Sequence, residues 1–298
     1  MNNKLRGIII PSVTPFDEDG NLNISGMEIN FSKWLETDIA GFMVLGTNGE
    51  FVSLADDEAY AVTKEAVNLK QDRTLIVGVG RESLVNTINF IDRISNFADD
   101  IDFISVVTPH YFAGSMTGSA LYDYYIRIAD FSPIPVLLYV APTYNNNVIV
   151  PPSTLTELAK HPNIVGVKDT SKDQLVNYMI AARDKENFDI LAGSLGTLMT
   201  DLLFGGPGGV VSAANYFPQE CADLTNLFFS GKISESIDNY IKLQKLIKVT
   251  GGKSGIASLK ATMNLLGYEA GYTRLPVQSL PKEEVEKIKQ ELINSGKL

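Results

Sequence analysis

The chain has 298 residues, of which 45% are hydrophobic and 20% charged, a globular balance with length enough for a sizeable core, which excludes a disordered chain. Its 25 basic and 35 acidic side chains give a formal charge of −10 at pH 7, which makes nucleic acid and anionic membrane poor partners yet leaves room for a small anionic substrate in a locally positive pocket. The single cysteine, Cys221, excludes a disulfide framework and a cysteine-based zinc site, and the two histidines, His110 and His161, lie too far apart to pair on a metal.

Short runs rich in β-branched and aromatic residues recur along the chain at residues 7–10, 41–45, 75–79, 101–107, 136–140, 164–167, 189–192 and 210–213. They are almost continuously apolar rather than alternating, as expected of strands buried on both faces. Helical patterns separate them. The first covers 25–38, with Met27, Phe31, Trp34 and Leu35 at helical spacing, and Asp56-Asp57-Glu58 opens the next with acids in its first turn. Others cover 117–131, 153–160 and 173–184, and four more come after the eighth run at 218–230, 234–249, 255–266 and 282–294. Alternation without a linker predicts an α/β fold, a (β/α)8 TIM barrel over 1–230. The C-terminal helical extension, 231–298, is expected to pack on the barrel as part of a single structural unit. A doubly wound sheet would need a glycine-rich turn after its first strand, where Pro11-Ser12-Val13-Thr14-Pro15-Phe16 stands instead. The first residues lack the apolar stretch of a signal peptide, and no apolar run approaches the ~18 residues of a membrane span, so a cytoplasmic protein is expected.

A barrel has its chemistry at the C-terminal ends of its strands, so the residues just after each run are the candidates. Lys168 ends the apolar run 164–167, where low-dielectric walls favour its neutral amine. Such an amine attacks a carbonyl to form a Schiff base. A lysine that snorkels at the strand end, or one paired with Asp169, fits the same position, although strand alternation turns Asp169 to the other side. Tyr139 closes the neighbouring strand, as a proton-shuttling phenol or as a core aromatic. Gly46-Thr47-Asn48-Gly49 suits a carboxylate, which needs converging donors, or an ordinary turn. Other motifs fail. Gly205-Gly206-Pro207-Gly208-Gly209 precedes its strand, and Gly251-Gly252-Lys253-Ser254 has Ile247 where a P-loop needs its first glycine. Cys221 reads as a small buried hydrophobe and His161 as a helix C-terminal residue.

The whole pattern resembles the family of dihydrodipicolinate synthase and N-acetylneuraminate lyase, pyruvate-binding class I aldolases on a (β/α)8 barrel. The resemblance runs nearly end to end through Pro11-Ser12-Val13-Thr14-Pro15-Phe16, Gly46-Thr47-Asn48-Gly49-Glu50, Thr108-Pro109-His110-Tyr111, Tyr139 with Pro142, Gly166-Val167-Lys168-Asp169-Thr170-Ser171, and Gly209-Val210-Val211-Ser212-Ala213-Ala214-Asn215. It implies that Lys168 forms the imine with a 2-keto acid, that Tyr139 is the acid/base group, and that Thr47 and Tyr111 complete a proton relay. It further implies that Thr47 and Asn48 cradle the carboxylate and that Tyr111 reaches a neighbouring subunit's site, hence at least a dimer and usually a homotetramer built as a dimer of dimers. No metal or cofactor is required beyond the covalent imine.

Departures from the family pattern bear on substrate. Synthase members carry an arginine two positions after the Pro142 equivalent, and this chain has Tyr144; Val140, Asn48 and His110 replace the usual Asn, Thr or Ser, and Tyr. Losing a bidentate carboxylate clamp argues against aspartate semialdehyde. Lys168-Asp169-Thr170-Ser171 and Ala213-Ala214-Asn215-Tyr216 are most similar to the 2-keto-3-deoxygluconate aldolase branch, and Phe112-Ala113-Gly114-Ser115-Met116 lacks the cation of phosphate-accepting members. The expectation is an aldolase for a non-phosphorylated 2-keto-3-deoxy sugar acid, with Thr170, Ser194, Val211 and Asn215 among its substrate contacts. The alternatives are dihydrodipicolinate synthase, N-acetylneuraminate lyase, a keto-deoxy sugar acid dehydratase and, outside enzymes, a keto-acid-binding regulatory barrel.

Overall fold

The computed structural model describes residues 3–171, 173–250 and 255–298. Strands β1 (Gly7–Pro11), β2 (Gly41–Val44), β3 (Thr74–Gly78), β4 (Phe103–Val107), β5 (Val136–Val140), β6 (Ile164–Asp169), β7 (Asp189–Ala192) and β8 (Gly208–Val210) form a closed parallel barrel in sequence order. Helices α1 (Ile24–Leu35), α2 (Asp56–Leu69), α3 (Leu84–Ile94), α4 (Gly118–Phe131), α5 (Pro152–Leu158), α6 (Leu175–Ala181) and α7 (Leu195–Leu203) lie between the strands. After β8 come α8 (Pro218–Phe229), α9 (Ile233–Thr250), α10 (Ile256–Leu265) and α11 (Lys282–Asn294). This is the TIM barrel with C-terminal helices that the sequence predicts. The chain packs as two compact units, one of the residues up to Gly7 with Thr74–Val210, the other of Ile8–Arg73 with Val211–Leu298.

The first unit holds β3–β8 and α3–α7. Its strands are apolar on both sides, and Leu75, Val77, Ile104, Val106, Leu138 and Val167 are buried. The register places Tyr139 opposite Lys168 and Lys168 opposite Leu191. Two of its helices are additional to those predicted. In α3 the Ser83 hydroxyl caps the first turn by accepting from the Asn86 N–H at 3.1 Å, and Phe90, Ile91 and Ile94 form the buried face. In α7, Leu195, Leu198 and Leu202 do the same.

Strand β8 also begins and ends earlier than the predicted run 210–213, because Ser212–Asn215 is wound into a 3₁₀ turn. Its start depends on glycine. Gly208 has a φ of 136°, and a Cβ there would overlap the carbonyl oxygen of Gly7. Asp201, buried on α7, receives the Gly208 N–H on its Oδ2 at 3.2 Å, and burial pushes its carboxyl well above the ordinary range.

In the second unit β1 pairs with β2, Ile9 opposite Gly41 and Pro11 opposite Met43. Helix α1 lays Phe31 on Phe42, with ring centroids 4.2 Å apart, while the Trp34 indole N–H donates to the Asn215 carbonyl at 3.0 Å. The aromatic positions that set the predicted helix period are therefore the packing face. Replacing Gly208 by Ala is expected to lower stability by about 3 kcal/mol or more, because no L-residue relieves both the dihedral and the overlap. Gly205→Ala, at φ 89° but in open space, is expected to cost only about 1–2 kcal/mol; urea unfolding of the two variants checks the contrast.

Candidate active site

Strand β6 runs as an apolar ribbon into Val167-Lys168-Asp169. The Lys168 side chain is enclosed, the residue being 5% exposed, and its Nζ lies 4.1 Å from the centroid of the buried Tyr139 ring on β5. Desolvation alone lowers the Lys168 pKa from the usual 10.5 to about 7. A large fraction of neutral amine is thus present at physiological pH, the state a carbonyl electrophile requires.

The next residues along the chain are tied down. Asp169 accepts from the Ser171 N–H at 3.0 Å and the Ser171 hydroxyl at 2.7 Å, while burial pushes its carboxyl up to about 6 against those bonds. The Thr170 N–H and hydroxyl both donate to the Val140 carbonyl at 3.0 Å, which leaves the hydroxyl its lone pairs as acceptors. Ser194 caps the approach to α7, its Oγ 3.1 Å from the Thr197 Oγ1. Lys168, Tyr139 and Thr170 therefore sit on adjoining strand ends of one unit.

Tyr111 is placed differently. It is 77% exposed and packs edge-on against Phe112 at 5.1 Å between centroids. Its loop is held by Glu82, whose Oε2 accepts the N–H groups of His110 at 3.0 Å and Tyr111 at 2.8 Å, and whose Oε1 lies 2.7 Å from His110 Nδ1. Sequence reasoning missed Glu82, which stands 28 positions away from His110 in a different loop. It also missed Asn145, buried, whose amide donates to the Thr108 hydroxyl. The run Asn145-Asn146-Asn147 reads as a turn, and Asn146 and Asn147 do take positive φ.

In the second unit, Thr47 and Asn48 come after β2, and the Asn48 amide donates to the Ser212 hydroxyl at 2.8 Å. Asn215 is fully buried. It accepts the Val13 N–H at 3.2 Å and donates to the carbonyls of Pro11 at 3.0 Å and Ser212 at 3.1 Å, so its amide staples the end of β1 to the 3₁₀ turn. Val211 is buried, with its N–H donating to the Ile9 carbonyl at 3.3 Å.

Other side chains noted in the sequence have plain structural partners. His161 lies just beyond α5 and faces Asp130 at 3.1 Å. Cys221 is buried on α8, and burial pushes its thiol up, away from the reactive thiolate. The segment Gly251-Gly252-Lys253-Ser254 lies outside the described residues. Among the described residues no three His, Cys, Asp or Glu side chains gather as a metal site, and no helix is long and apolar enough to cross a membrane.

Barrel, desolvated lysine and adjoining phenol together define a barrel lyase of the aldolase type. The comparison with known families agrees: the model of the Dihydrodipicolinate synthetase family matches residues 4–295, and the chain belongs to that family. It is 30% identical over 294 residues to a 4-hydroxy-tetrahydrodipicolinate synthase of Acetivibrio thermocellus, covering 97% of each chain. It is 28% identical over 272 residues to the enzyme of that name from an Exiguobacterium species, covering 91% of each. Dihydrodipicolinate synthase of Thermotoga maritima superposes with a TM-score of 0.89 at 28% identity, over 98% of this chain and 99% of that one.

The Lys168 environment has a stability consequence. Folded at about 7 and unfolded near 10.5, the amine binds its proton more weakly in the native state. The folding cost is complete below pH 7 and fades as pH rises towards 10.5. Lys168→Met is expected to stabilise the protein at pH 6 by several kcal/mol, on the order of 4, with a gain that shrinks at pH 9. Thermal unfolding at both pH values measures it.

Proposed function

We propose that the chain is a class I aldolase that reversibly cleaves a non-phosphorylated 2-keto-3-deoxy sugar acid to pyruvate and a hydroxyaldehyde such as glyceraldehyde. The observation that carries this reading is the enclosed Lys168 amine, brought to about 7 by desolvation, against the Tyr139 ring. The amine adds to the C2 carbonyl and water leaves, giving a protonated imine. When the C4 hydroxyl loses its proton, the C3–C4 bond breaks, the aldehyde departs and the electron pair enters the imine as an enamine. Tyr139 moves the proton at each stage, with Thr47 and Tyr111 as its relay, and protonation at C3 with subsequent hydrolysis releases pyruvate. In this reading Thr47 and Asn48 take the carboxylate and Thr170, Ser194 and Val211 serve the rest of the sugar chain, while Asn215, its amide engaged by Val13, Pro11 and Ser212, acts by bracing its turn. The reaction needs no metal or resident cofactor. The exposure of Tyr111 fits service to a neighbouring copy in a cytoplasmic homotetramer, a dimer of dimers.

Tyr144 supports the sugar acid. It stands where synthases of the family carry a carboxylate-binding arginine, and a phenol has no bidentate fork. Dihydrodipicolinate synthesis is the second reading, favoured by the names of the relatives at 28–30% identity. Both readings share the imine, so the tests run in two stages.

Pyruvate with borohydride is expected to leave a stable adduct on Lys168, located by intact mass and peptide mapping; no adduct in folded protein removes the aldolase reading. The trapping rate is expected to rise with pH, reach half its maximum near 7 and level off above about 8, whereas a lysine of ordinary basicity would keep climbing past about pH 9. Offered aldehydes with pyruvate, the protein is expected to condense glyceraldehyde at least about tenfold faster than aspartate semialdehyde. The reverse order establishes the synthase.

A further inference from the structure

The loop that carries Thr47 and Asn48 is bracketed by strained backbone. Leu45 has a φ of 56° and Glu50 a φ of 51°, a left-handed conformation that is unfavourable for a residue other than glycine and persists only where the surroundings impose it. For Glu50 those surroundings are specific. Its Oε1 lies 2.6 Å from the Nζ of Lys260, with both side chains buried at 4% and 2% exposure. Its Oε2 accepts the Arg274 N–H at 3.0 Å.

Lys260 comes from α10, far along the chain. Its ammonium also donates to the carbonyl oxygens of Thr14 at 2.8 Å and Tyr272 at 2.7 Å, beside its ion pair with Glu50, and the Phe16 ring centroid stands 4.5 Å away. Thr14 in turn grips the loop, donating its hydroxyl to the Gly49 carbonyl at 2.7 Å. One ammonium thus holds both the residue that clasps the loop at Gly49 and the residue on which the loop ends. Arg274 locks the outer side, pairing with both oxygens of Glu58 at 2.7 Å and donating to the Ser53 carbonyl at 2.8 Å.

Stability alone is a weak explanation for such a pair. Two charges taken out of water recover little net energy, and apolar residues of similar volume often do as well. A buried pair held by two further carbonyl acceptors and a backbone N–H does supply one geometry. We infer that Lys260 is a positioning residue: through the Glu50 carboxylate and the Thr14 carbonyl, helix α10 sets the 46–50 loop so that Thr47 and Asn48 present their polar groups to the substrate carboxylate. The inference rests on the aldolase reading above, and it gives the helices after β8 a part in substrate recognition.

The test uses the full chain and pyruvate as probe, comparing Lys260→Met and Glu50→Gln with the wild type. Borohydride trapping on Lys168 is measured against pyruvate concentration, and thermal unfolding is recorded for each. The half-saturating pyruvate concentration is expected to rise about tenfold in Lys260→Met, while the trapping rate at saturating pyruvate stays within about threefold. Glu50→Gln keeps an acceptor for the Arg274 N–H and is expected to show a smaller rise. An unchanged half-saturation in folded variants overturns the inference, as does a fall in the saturating rate at unchanged half-saturation. Loss of cooperative unfolding in both variants leaves the pair a structural role only and overturns it too. A wild type that traps no pyruvate fails at the earlier step, so the control separates the two failures.

Discussion

Removing the Lys168 ammonium from water is the constraint on which the rest of the site depends. Charge in a low-dielectric interior is costly, and the amine answers by giving up its proton more readily than a lysine in water. The depressed basicity is therefore a property of the walls. They consist of β5 and β6 with their apolar neighbours, packed so closely that a Cβ on Gly166 would overlap the carbonyl of Asp189. Loosen that packing and water enters, and the amine regains its ordinary basicity. The cost of enclosure falls on the folded state as a whole, which the continuous core of the barrel can bear.

A second lysine meets the same problem and receives the opposite solution. Lys260 is as deeply buried, and desolvation lowers it too, but Glu50 pulls against that and leaves it at about 8. Lys168 is shaped by desolvation, Lys260 by a carboxylate and two carbonyls that fill its donor geometry. The first arrangement favours the neutral amine. The second yields a bracket, because an ammonium held by two carbonyls and a facing carboxylate has one stable orientation. Composition makes the two alike, and only their surroundings distinguish them.

That distinction marks how far the sequence can be read. Strands β1–β7 were legible because burial on both faces writes an uninterrupted apolar run, and Lys168 because a cation ending such a run is conspicuous. Its pairing with Tyr139 came from strand order, which the barrel fixes. Helix α3 was missed although Ser83 and the apolar positions 90, 91 and 94 mark it, since polar residues dilute its first turns. Strand β8 was misplaced by three residues or fewer at each end because its register depends on backbone approach at Gly208 rather than on side-chain pattern. Glu50 and Lys260 lie 210 positions apart, and Glu82 and Tyr111 29 apart. No local period records a contact between distant loops. The chemistry-bearing residues were thus readable and their supports were not, because the supports act through tertiary geometry.

The character of the strand ends reflects the same avoidance of bare charge. Arg81, a cation at the end of β3, donates to the carbonyls of Val79 at 3.1 Å and Gly80 at 3.2 Å and stacks 4.3 Å from the Phe90 centroid. Its planar fork is engaged with backbone and ring. Arg274 is likewise engaged with Glu58 and with the carbonyls of Gly20 and Ser53. Hydroxyl and amide groups stand at the strand ends instead: Thr47 and Asn48 after β2, Thr108 after β4, Thr170 after β6 and Ser194 after β7. Neutral groups of this kind discriminate by hydrogen-bond geometry, because a buried donor or acceptor left unpaired is costly.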